Sequence, residues 1–309
     1  MNLSSPLLGQ GGVLVGSGYR APSTLMVSPG EILPLEVIGL RPISPSSIQA
    51  PSTPLPTSLA GISVTFNQAV QTYLGFPSTS LPSLQAPIVS IRQSSVCSPV
   101  SAPACLVTII TIQVPYELLH IDVGLPYFFT AVVVSQAGVD SSAFSVAVVD
   151  DQIHVVTTCD QAENVSCQSI VTHLDGTLVT AQSPAKPSET VVLYGWGFGS
   201  TYPMVKTGEI TPSPAPVLAN GGGIPSGAIV GFDFTPNAGP ARLAGLPSQL
   251  TATAYLTPGQ VGLYQTDVQL PASFPTVVAC GGPVSSNLTI SLSGSWSTDG
   301  ASICVQAAQ

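Results

Sequence analysis

The chain has 309 residues, and only 7% of them are charged, against about 25% in a typical soluble domain. Its formal net charge is −9, and its six basic residues stand singly along the sequence. This pattern argues against nucleic acid and anionic membranes as partners, because both require clustered positive charge.

The first 24 residues are predicted to form an arm that precedes the first domain. They lack the basic and continuously apolar segments of an intact signal peptide, and no run in the chain reaches the roughly 20 apolar residues of a membrane span. A short strand is expected between Gly12 and Gly18, and such a strand can pair with its own sheet or with a neighbour's. The residues assigned to this assembly arm are Leu7, Leu8, Val13, Leu14, Val15 and Tyr19.

Residues 25–157 are predicted to form a first β domain. Apolar, β-branched runs alternate with Pro-, Ser- and Gly-rich connectors, and Gly138 is expected in the turn of a hairpin. Seven or eight such strands separated by turn signals favour a β-sandwich. The main predicted strands are Ile32–Ile38, Ile62–Phe66, Ile88–Arg92, Leu106–Val114, Phe128–Val134 and Ala143–Val149.

Residues 158–309 are predicted to form a second β domain. The motif Gly195-Trp196-Gly197-Phe198 is interpreted as a strand that leaves through a bend where side chains must be small. A phosphate-binding loop is the weaker interpretation, because neither a lysine nor an amphipathic helix follows the glycines. The predicted strands are Thr190–Tyr194, Ala228–Phe234, Ala252–Leu256, Val261–Leu270, Val277–Cys280 and Leu288–Leu292, and a further strand, Ile153–Thr157, is predicted in the seam that precedes this domain.

An internal repeat relates the two halves. PGEILPLEVIGL (29–40) and PSETVVLYGWGF (187–198) share Pro, Glu and Gly at matching positions, and IQVP (112–115) matches VQLP (268–271). The two anchors are separated by nearly equal lengths, since Pro115 follows Gly39 by 76 residues and Pro271 follows Gly197 by 74. A tandem of two domains is therefore expected. The anchors are Glu31, Gly39, Pro115, Glu189, Gly197 and Pro271.

Six cysteines fall in three close pairs, and none shows the C-x-x-C spacing of zinc or thioredoxin-like sites. Proximity favours local disulfides, which require an oxidising compartment; buried free thiols are the alternative. The expected pairs are Cys97 with Cys105, Cys159 with Cys167, and Cys280 with Cys304.

Three segments resemble a known family. They are QSIVTHLDGTLVTAQSPAKPSETVVLYGWGFGS (168–200), KTGEITPSP (206–214) and TPGQVGLYQTDVQLP (257–271). Together with SPGEILPLEVIGL, LAGISVTFN and ITIQVPYEL in the first half, they are similar to the repeated C-terminal domain of secreted acidobacterial, Solibacter-type proteins. The resemblance implies two immunoglobulin-like β-sandwiches on an exported bacterial protein, and it supplies no catalytic residue.

Few residues are candidates for catalysis or metal binding, and no catalytic residue, metal ligand or cofactor is assigned. A hydrolase is disfavoured because the histidines are far apart and no G-x-S-x-G elbow occurs. Acidic residues near the junction of the halves have oxygen ligands suited to Ca²⁺, but their spacing is irregular and a solvated acidic turn is the simpler interpretation. The residues weighed are His120, His154, His173, Asp150, Asp151, Asp160 and Glu163.

Aromatic residues of the second half offer one further possibility. Tyr194, Trp196, Tyr255, Tyr264 and Trp296 can form a platform on which a sugar stacks. Aromatic residues of a sandwich belong more often to its core, so both interpretations stay open.

The sequence favours an exported, non-enzymatic structural protein that assembles with copies of itself into an extracellular fibre or surface layer. The mean hydropathy is +0.45, and few charges are present to keep sheet edges apart. Either Ser and Thr replace charge on the surface, or another subunit covers part of it. The alternative function is a monomeric adhesion or glycan-binding module, which a solvent-exposed aromatic row would favour.

Overall fold

The computed structural model describes residues 25–71, 78–95, 106–119, 127–141, 143–160, 167–219, 227–241 and 250–306. Within these ranges the chain is all-β, as predicted, and the one helical element described is a 3-10 turn at Thr158–Asp160. The chain divides into two compact units. The first extends to Asp150 and also includes Val205–Ile210, and the second contains Asp151–Met204 and the chain from Thr211 onward.

This division differs from the sequence-based boundary after Thr157 in two respects. Residues 151–157 lie in the second unit, because His154 and Val155 pair with Trp196 and Gly195. The segment Val205–Ile210 is held in the first unit by two hydrogen bonds of the Gly208 backbone. The Gly208 N–H donates to Gln113 Oε1 (2.6 Å), and the Leu55 N–H donates to the Gly208 carbonyl (2.8 Å).

The first unit contains two sheets. The larger is ordered β1-β12-β10-β5-β4, with β6, β7 and β11 paired at its margins, and the smaller is ordered β2-β9-β8-β3. The strands are β1 (Leu25–Val27), β2 (Ile32–Ile38), β3 (Ser47–Gln49), β4 (Ser58–Leu59), β5 (Ile62–Gln71), β6 (Thr79–Ser80), β7 (Leu84–Ala86), β8 (Ile88–Ser95), β9 (Leu106–Gln113), β10 (Tyr127–Gln136), β11 (Val139–Asp140) and β12 (Phe144–Val148).

Both sheets contribute to one apolar core in this unit. In β2, and in β5 from Ile62 to Gln68, every second residue is buried, as the period-two pattern of the sequence predicts. The two sheets therefore turn one face each toward a shared core, an arrangement consistent with a β-sandwich. Core residues include Leu33, Leu35, Val37, Ile110 and Ile112 from the smaller sheet, and Val64, Phe66, Val132, Val134 and Val146 from the larger.

The second unit is built on one sheet, ordered β13-β15-β20-β19-β18-β21-β22, with β14, β16 and β17 paired beside this path. Strand β19 changes partner along its length, since its first half pairs with β18 and its last three residues pair with β20. The strands of this sheet are β13 (His154–Val155), β14 (Val171–His173), β15 (Thr190–Trp196), β16 (Thr201–Tyr202), β17 (Val217–Leu218), β18 (Gly227–Asp233), β19 (Leu250–Leu256), β20 (Tyr264–Gln269), β21 (Leu288–Ser293) and β22 (Thr298–Ile303).

The same strand pair occurs in each unit at matching sequence positions. Strand β2 pairs antiparallel with β9 so that Ile32 is opposite Gln113, and β15 pairs with β20 so that Thr190 is opposite Gln269. A glycine with positive φ follows each first strand, Gly39 at 98° and Gly197 at 72°. The sequence repeat thus coincides with a repeated strand register.

The structure differs from the predicted strands in several places. Short strands that the sequence did not predict include β1, β3, β7 and β14. Val277–Cys280 is not a strand, because Cys280 is bonded to Cys304 and the Val278 carbonyl accepts the side-chain amide of Asn287. Conversely, β22 is a strand although its sequence TDGASI is poor in β-forming residues. Pairing along the whole length of β21 compensates for that low propensity.

Candidate functional site

The outward surface of three neighbouring strands in the second unit carries aromatic and polar side chains. Tyr194 of β15 is opposite Gln265 of β20, which is opposite Tyr255 of β19. The residues on either side of Gln265 in β20, Tyr264 and Thr266, are completely buried, so alternation directs Gln265 outward. We call this surface the aromatic face, and it comprises Tyr194, Trp196, Tyr255, Gln265 and Asp267, all of which are half-buried.

Hydrogen bonds fix the polar part of the aromatic face. The Tyr255 hydroxyl donates to the Asp267 carboxylate at 3.0 and 3.2 Å, and Gln265 Nε2 donates to the same hydroxyl. Burial and the neighbouring Asp267 raise the pKa of Tyr255, although Gln265 opposes the shift, so the phenol stays protonated and remains a donor. The remaining lone pairs of Asp267 and the Gln265 carbonyl are acceptors for a ligand that carries hydroxyl groups.

A cationic histidine orients Trp196. The His154 ring is stacked on the indole, with ring centroids 5.7 Å apart and an interplanar angle of 16°. His154 Nε2 lies 2.9 Å from Asp160 Oδ1, and Nδ1 lies 3.5 Å from Asp299 Oδ2. Burial lowers the pKa of His154, but the hydrogen bonds to the two carboxylates outweigh it and raise the pKa to about 9. The imidazolium is therefore the form stacked on Trp196 at neutral pH.

The two other aromatic candidates lie elsewhere in the unit. Tyr264 is completely buried, with its ring centroid 5.2 Å from that of Phe198, so it belongs to the core and the platform interpretation is wrong for this residue. Trp296 is 46% exposed in the turn between β21 and β22. The buried Asp151 carboxylate holds this turn by accepting the backbone N–H groups of Ser295, Trp296 and Ser297.

A cleft of about 550 Å³ brings together a serine, a histidine and a carboxylate. Ser183 Oγ lies 3.2 Å from His173 Nε2, and His173 Nδ1 is hydrogen-bonded to Glu189 Oε1. However, the Ser183 carbonyl also lies 3.2 Å from Nε2, so an acceptor faces each ring nitrogen. Burial lowers the pKa of His173, but Glu189 and the Ser183 carbonyl raise it further. These hydrogen bonds connect His173 of β14 to the segment that contains Ser183 and to Glu189, which directly precedes β15.

The acidic residues considered for Ca²⁺ have different partners. Asp151 holds the Trp296 turn, and Asp160 accepts hydrogen bonds from His154 and from the Thr157 N–H (2.6 Å). Glu163 lies outside the described residues. In the part of the chain that the structure describes, no group of three or more His, Cys, Asp or Glu side chains is arranged to hold a metal ion.

The first unit exposes a second surface of interest on its larger sheet. None of the residues of β1, β5, β10 and β12 is charged. Because Thr130, Val132 and Val134 of β10 are buried, Phe129, Ala131 and Val133 occupy the opposite side of the strand. We call this outward surface the neutral face. Its largest exposed side chains are Phe129 (55% exposed), Met26 (39%) and Tyr127 (38%).

The other predicted site residues are distributed as follows. Disulfides join Cys159 to Cys167 and Cys280 to Cys304, as predicted. Cys97, Cys105, His120 and the assembly arm, with Leu7, Leu8, Val13, Leu14, Val15 and Tyr19, lie outside the described residues. Sequence reasoning missed Gln265 and Asp267, although the alternation of polar and apolar residues in YQTDVQ (264–269) carries the signal.

No protein-family model and no curated protein matches the chain. In the ranges that the structure covers, no helix has the length and apolar character needed to cross a membrane.

Proposed function

We propose that this protein is an exported, non-enzymatic structural subunit that assembles with copies of itself through the neutral face. The observation that carries the proposal is the absence of charge from four neighbouring strands whose outward side exposes Phe129, Met26 and Tyr127. Burying a large apolar side chain stabilises an interface by about 1.5–3 kcal/mol. A monomer gains nothing from placing such side chains in water.

Charge explains why the occupant of this surface is a second copy of the chain. Two copies with a net charge of −9 repel each other, and this repulsion is weakest where the contacting surfaces carry no charge. The neutral face meets this condition, and two such faces can pack together like the two sheets of a sandwich, about 10 Å apart. The contact is then isologous, with the same patch used on both copies.

The proposal includes the domain type and the location. Two sheets packed on a common core in the first unit, and the same strand register in the second, support a tandem of immunoglobulin-like sandwiches. The disulfides Cys159–Cys167 and Cys280–Cys304 support an oxidising, extracellular location. A non-enzymatic role is supported by the cleft that contains Ser183, where the Ser183 carbonyl lies as close to His173 Nε2 (3.2 Å) as the Ser183 hydroxyl does.

Sedimentation velocity of the full chain over a range of concentrations, with negative-stain microscopy of the same samples, tests the proposal. The wild-type protein is expected to form dimers or larger ordered assemblies, and Phe129→Lys is expected to sediment as a monomer. Gln306→Lys adds the same charge at an exposed position of the second unit and serves as the control. A wild-type chain that stays monomeric at every concentration, or a Phe129→Lys chain that assembles normally, contradicts the proposal.

The assembly arm is a separate part of the proposal. Deleting residues 1–24 is expected to shorten or abolish fibres while leaving pairs formed through the neutral face. Fibres of unchanged length after the deletion exclude the arm from assembly.

A further inference from the structure

We propose that the aromatic face of the second unit binds neutral saccharides, with a pyranose ring stacked on Trp196 and Tyr194 and its hydroxyl groups bonded to Asp267 and Gln265. This function is independent of assembly, because the neutral face and the aromatic face belong to different units. It gives a structural subunit a means of binding neutral polysaccharide.

The repeat provides an internal comparison, because the first unit has the same strands without these residues. Strands β2 and β9 have the register of β15 and β20, so each position of the aromatic face on β15 and β20 has a counterpart on the same side of the sheet. The counterparts of Tyr194, Trp196, Gln265 and Asp267 are Glu36, Ile38, Ile109 and Thr111. The strand pair therefore forms without any aromatic side chain on this side. The fold therefore does not require the aromatic and polar residues that the second unit has at these positions.

The aromatic face is also organised before any ligand arrives. His154 is stacked on Trp196 and is itself held by Asp160 and Asp299, which restricts the indole. Tyr255 holds the Asp267 carboxylate in place through its hydroxyl group. Aromatic and polar groups that are fixed in advance lose little conformational entropy on binding. We therefore regard His154 and Tyr255 as positioning residues.

The chemistry of the face selects a neutral sugar. Aromatic rings offer apolar surface to the C–H groups of a pyranose, and carboxylate and amide oxygens accept hydrogen bonds from its hydroxyls. Asp267 lies on the face itself, and Asp160 and Asp299 lie beside His154, so the surroundings are acidic in a chain of net charge −9. Uronic acids and sulfated sugars are repelled by this charge.

Affinity electrophoresis of the full-length protein in native gels tests the proposal. The gels contain hydroxyethylcellulose, laminarin or galactomannan as neutral polysaccharides, and polygalacturonate as the anionic one. We expect at least one neutral polysaccharide to retard the wild-type chain and polygalacturonate to have no effect. The absence of retardation by all three neutral polysaccharides overturns the proposal.

Variants then locate the site. Trp196→Ile introduces the residue that the first unit has at the equivalent position, and it is expected to weaken retardation by about tenfold, which corresponds to about 1.4 kcal/mol. Trp296→Phe changes the exposed Trp296 outside the face and is expected to leave retardation unchanged. The double variant Gln265→Ile/Asp267→Thr likewise introduces the residues that the first unit has at the equivalent positions, and it is expected to weaken binding similarly. With two such variants, the test does not depend on the correct folding of either one alone. If both variants are retarded as strongly as the wild-type chain, the site lies elsewhere and the proposal is contradicted.

A positioning role for Tyr255 has its own test. Tyr255→Phe keeps the ring but removes the hydroxyl that bonds Asp267, and it is expected to weaken binding in the wild-type background but not in Asp267→Thr. Equal losses in the two backgrounds indicate that Tyr255 acts independently of Asp267.

Discussion

Glu31 and Glu189 lie 158 positions apart in the sequence and make the same hydrogen bonds in the two units. The Glu31 carboxylate accepts the N–H of Ser28 (2.9 Å), and the Glu189 carboxylate accepts the N–H of Lys186 (2.7 Å). Each glutamate also donates its own N–H to the carbonyl of the residue three positions earlier. The carboxylate thus closes the turn that precedes β2 and β15, which explains why this residue type recurs in both copies.

The first prediction concerns this turn. Glu31 is 1% exposed, so Glu31→Ala leaves the Ser28 N–H without this acceptor inside the protein and is expected to lower the free energy of unfolding of the first unit by about 1–3 kcal/mol. Both tryptophans lie in the second unit, so the measurement is hydrogen exchange of β2 and β9 rather than tryptophan fluorescence. Glu36→Ala, on the half-buried outward side of the same strand, is the control and is expected to change stability by less than about 0.5 kcal/mol.

The second prediction concerns the bend after β15. Gly197 has a φ of 72°, and a Cβ at this position would lie 2.0 Å from the Gln152 carbonyl oxygen. Gly197→Ala is therefore expected to destabilise the second unit by more than about 2 kcal/mol, measured by urea unfolding followed through tryptophan fluorescence. Gly176 also has a positive φ of 84°, but an added Cβ would meet no atom within 4 Å. Gly176→Ala therefore measures the effect of backbone strain without a steric contact. Equal losses of unfolding free energy in Gly176→Ala and Gly197→Ala would show that the contact with Gln152 is unimportant.

The third prediction concerns pH. The folded chain holds His154 at a pKa of about 9, above its ordinary value of 6.5. The stabilisation from the protonated ring is complete below about pH 6.5 and is lost as the pH rises toward 9. Urea unfolding of the second unit at several pH values should show this loss, and His154→Gln should reduce the slope between pH 6.5 and 9. Parallel slopes for the two proteins contradict the assignment.

The fourth prediction concerns the disulfides. In the chain-entropy model, Cys280–Cys304 closes 24 residues and stabilises the fold by about 3.5 kcal/mol, and Cys159–Cys167 closes 8 residues and contributes about 2.5 kcal/mol. Replacing each pair by serines should therefore destabilise the second unit in that order. Thiol titration of the unfolded, unreduced chain completes the test and is expected to detect no free thiol. Two free thiols would exclude the predicted pair Cys97–Cys105.

The sequence predicted best those elements whose formation depends on neighbouring residues. Ile32–Ile38 is a strand with the expected bounds, and Leu106–Gln113 ends one residue before the predicted end at Val114, which Pro115 follows. Alternation of apolar residues determines which side of these strands is buried, and proline cannot donate to the ladder. Close spacing along the chain was likewise sufficient to predict Cys159–Cys167.

Features that depend on the pairing of distant segments were not accessible from the sequence. The strand β22 has weak β propensity and forms because β21 is beside it. The segment Val205–Ile210 belongs to the first unit because Gln113, about 95 positions earlier, accepts the Gly208 N–H. His154 and Trp196 are 42 positions apart, and only the pairing of β13 with β15 stacks them.

The sequence alone therefore determined the all-β class, the twofold repeat, the local disulfides of the second unit and the scarcity of charge. These properties follow from composition, from alternation within single strands and from short separations along the chain. Tertiary structure decided that Tyr264 is core while Tyr194, Trp196 and Tyr255 lie on one outward surface, and that Phe129 is exposed on a strand without charged residues. Such outcomes depend on which strands are neighbours, and backbone hydrogen bonds between strands can form with almost any pair of side chains.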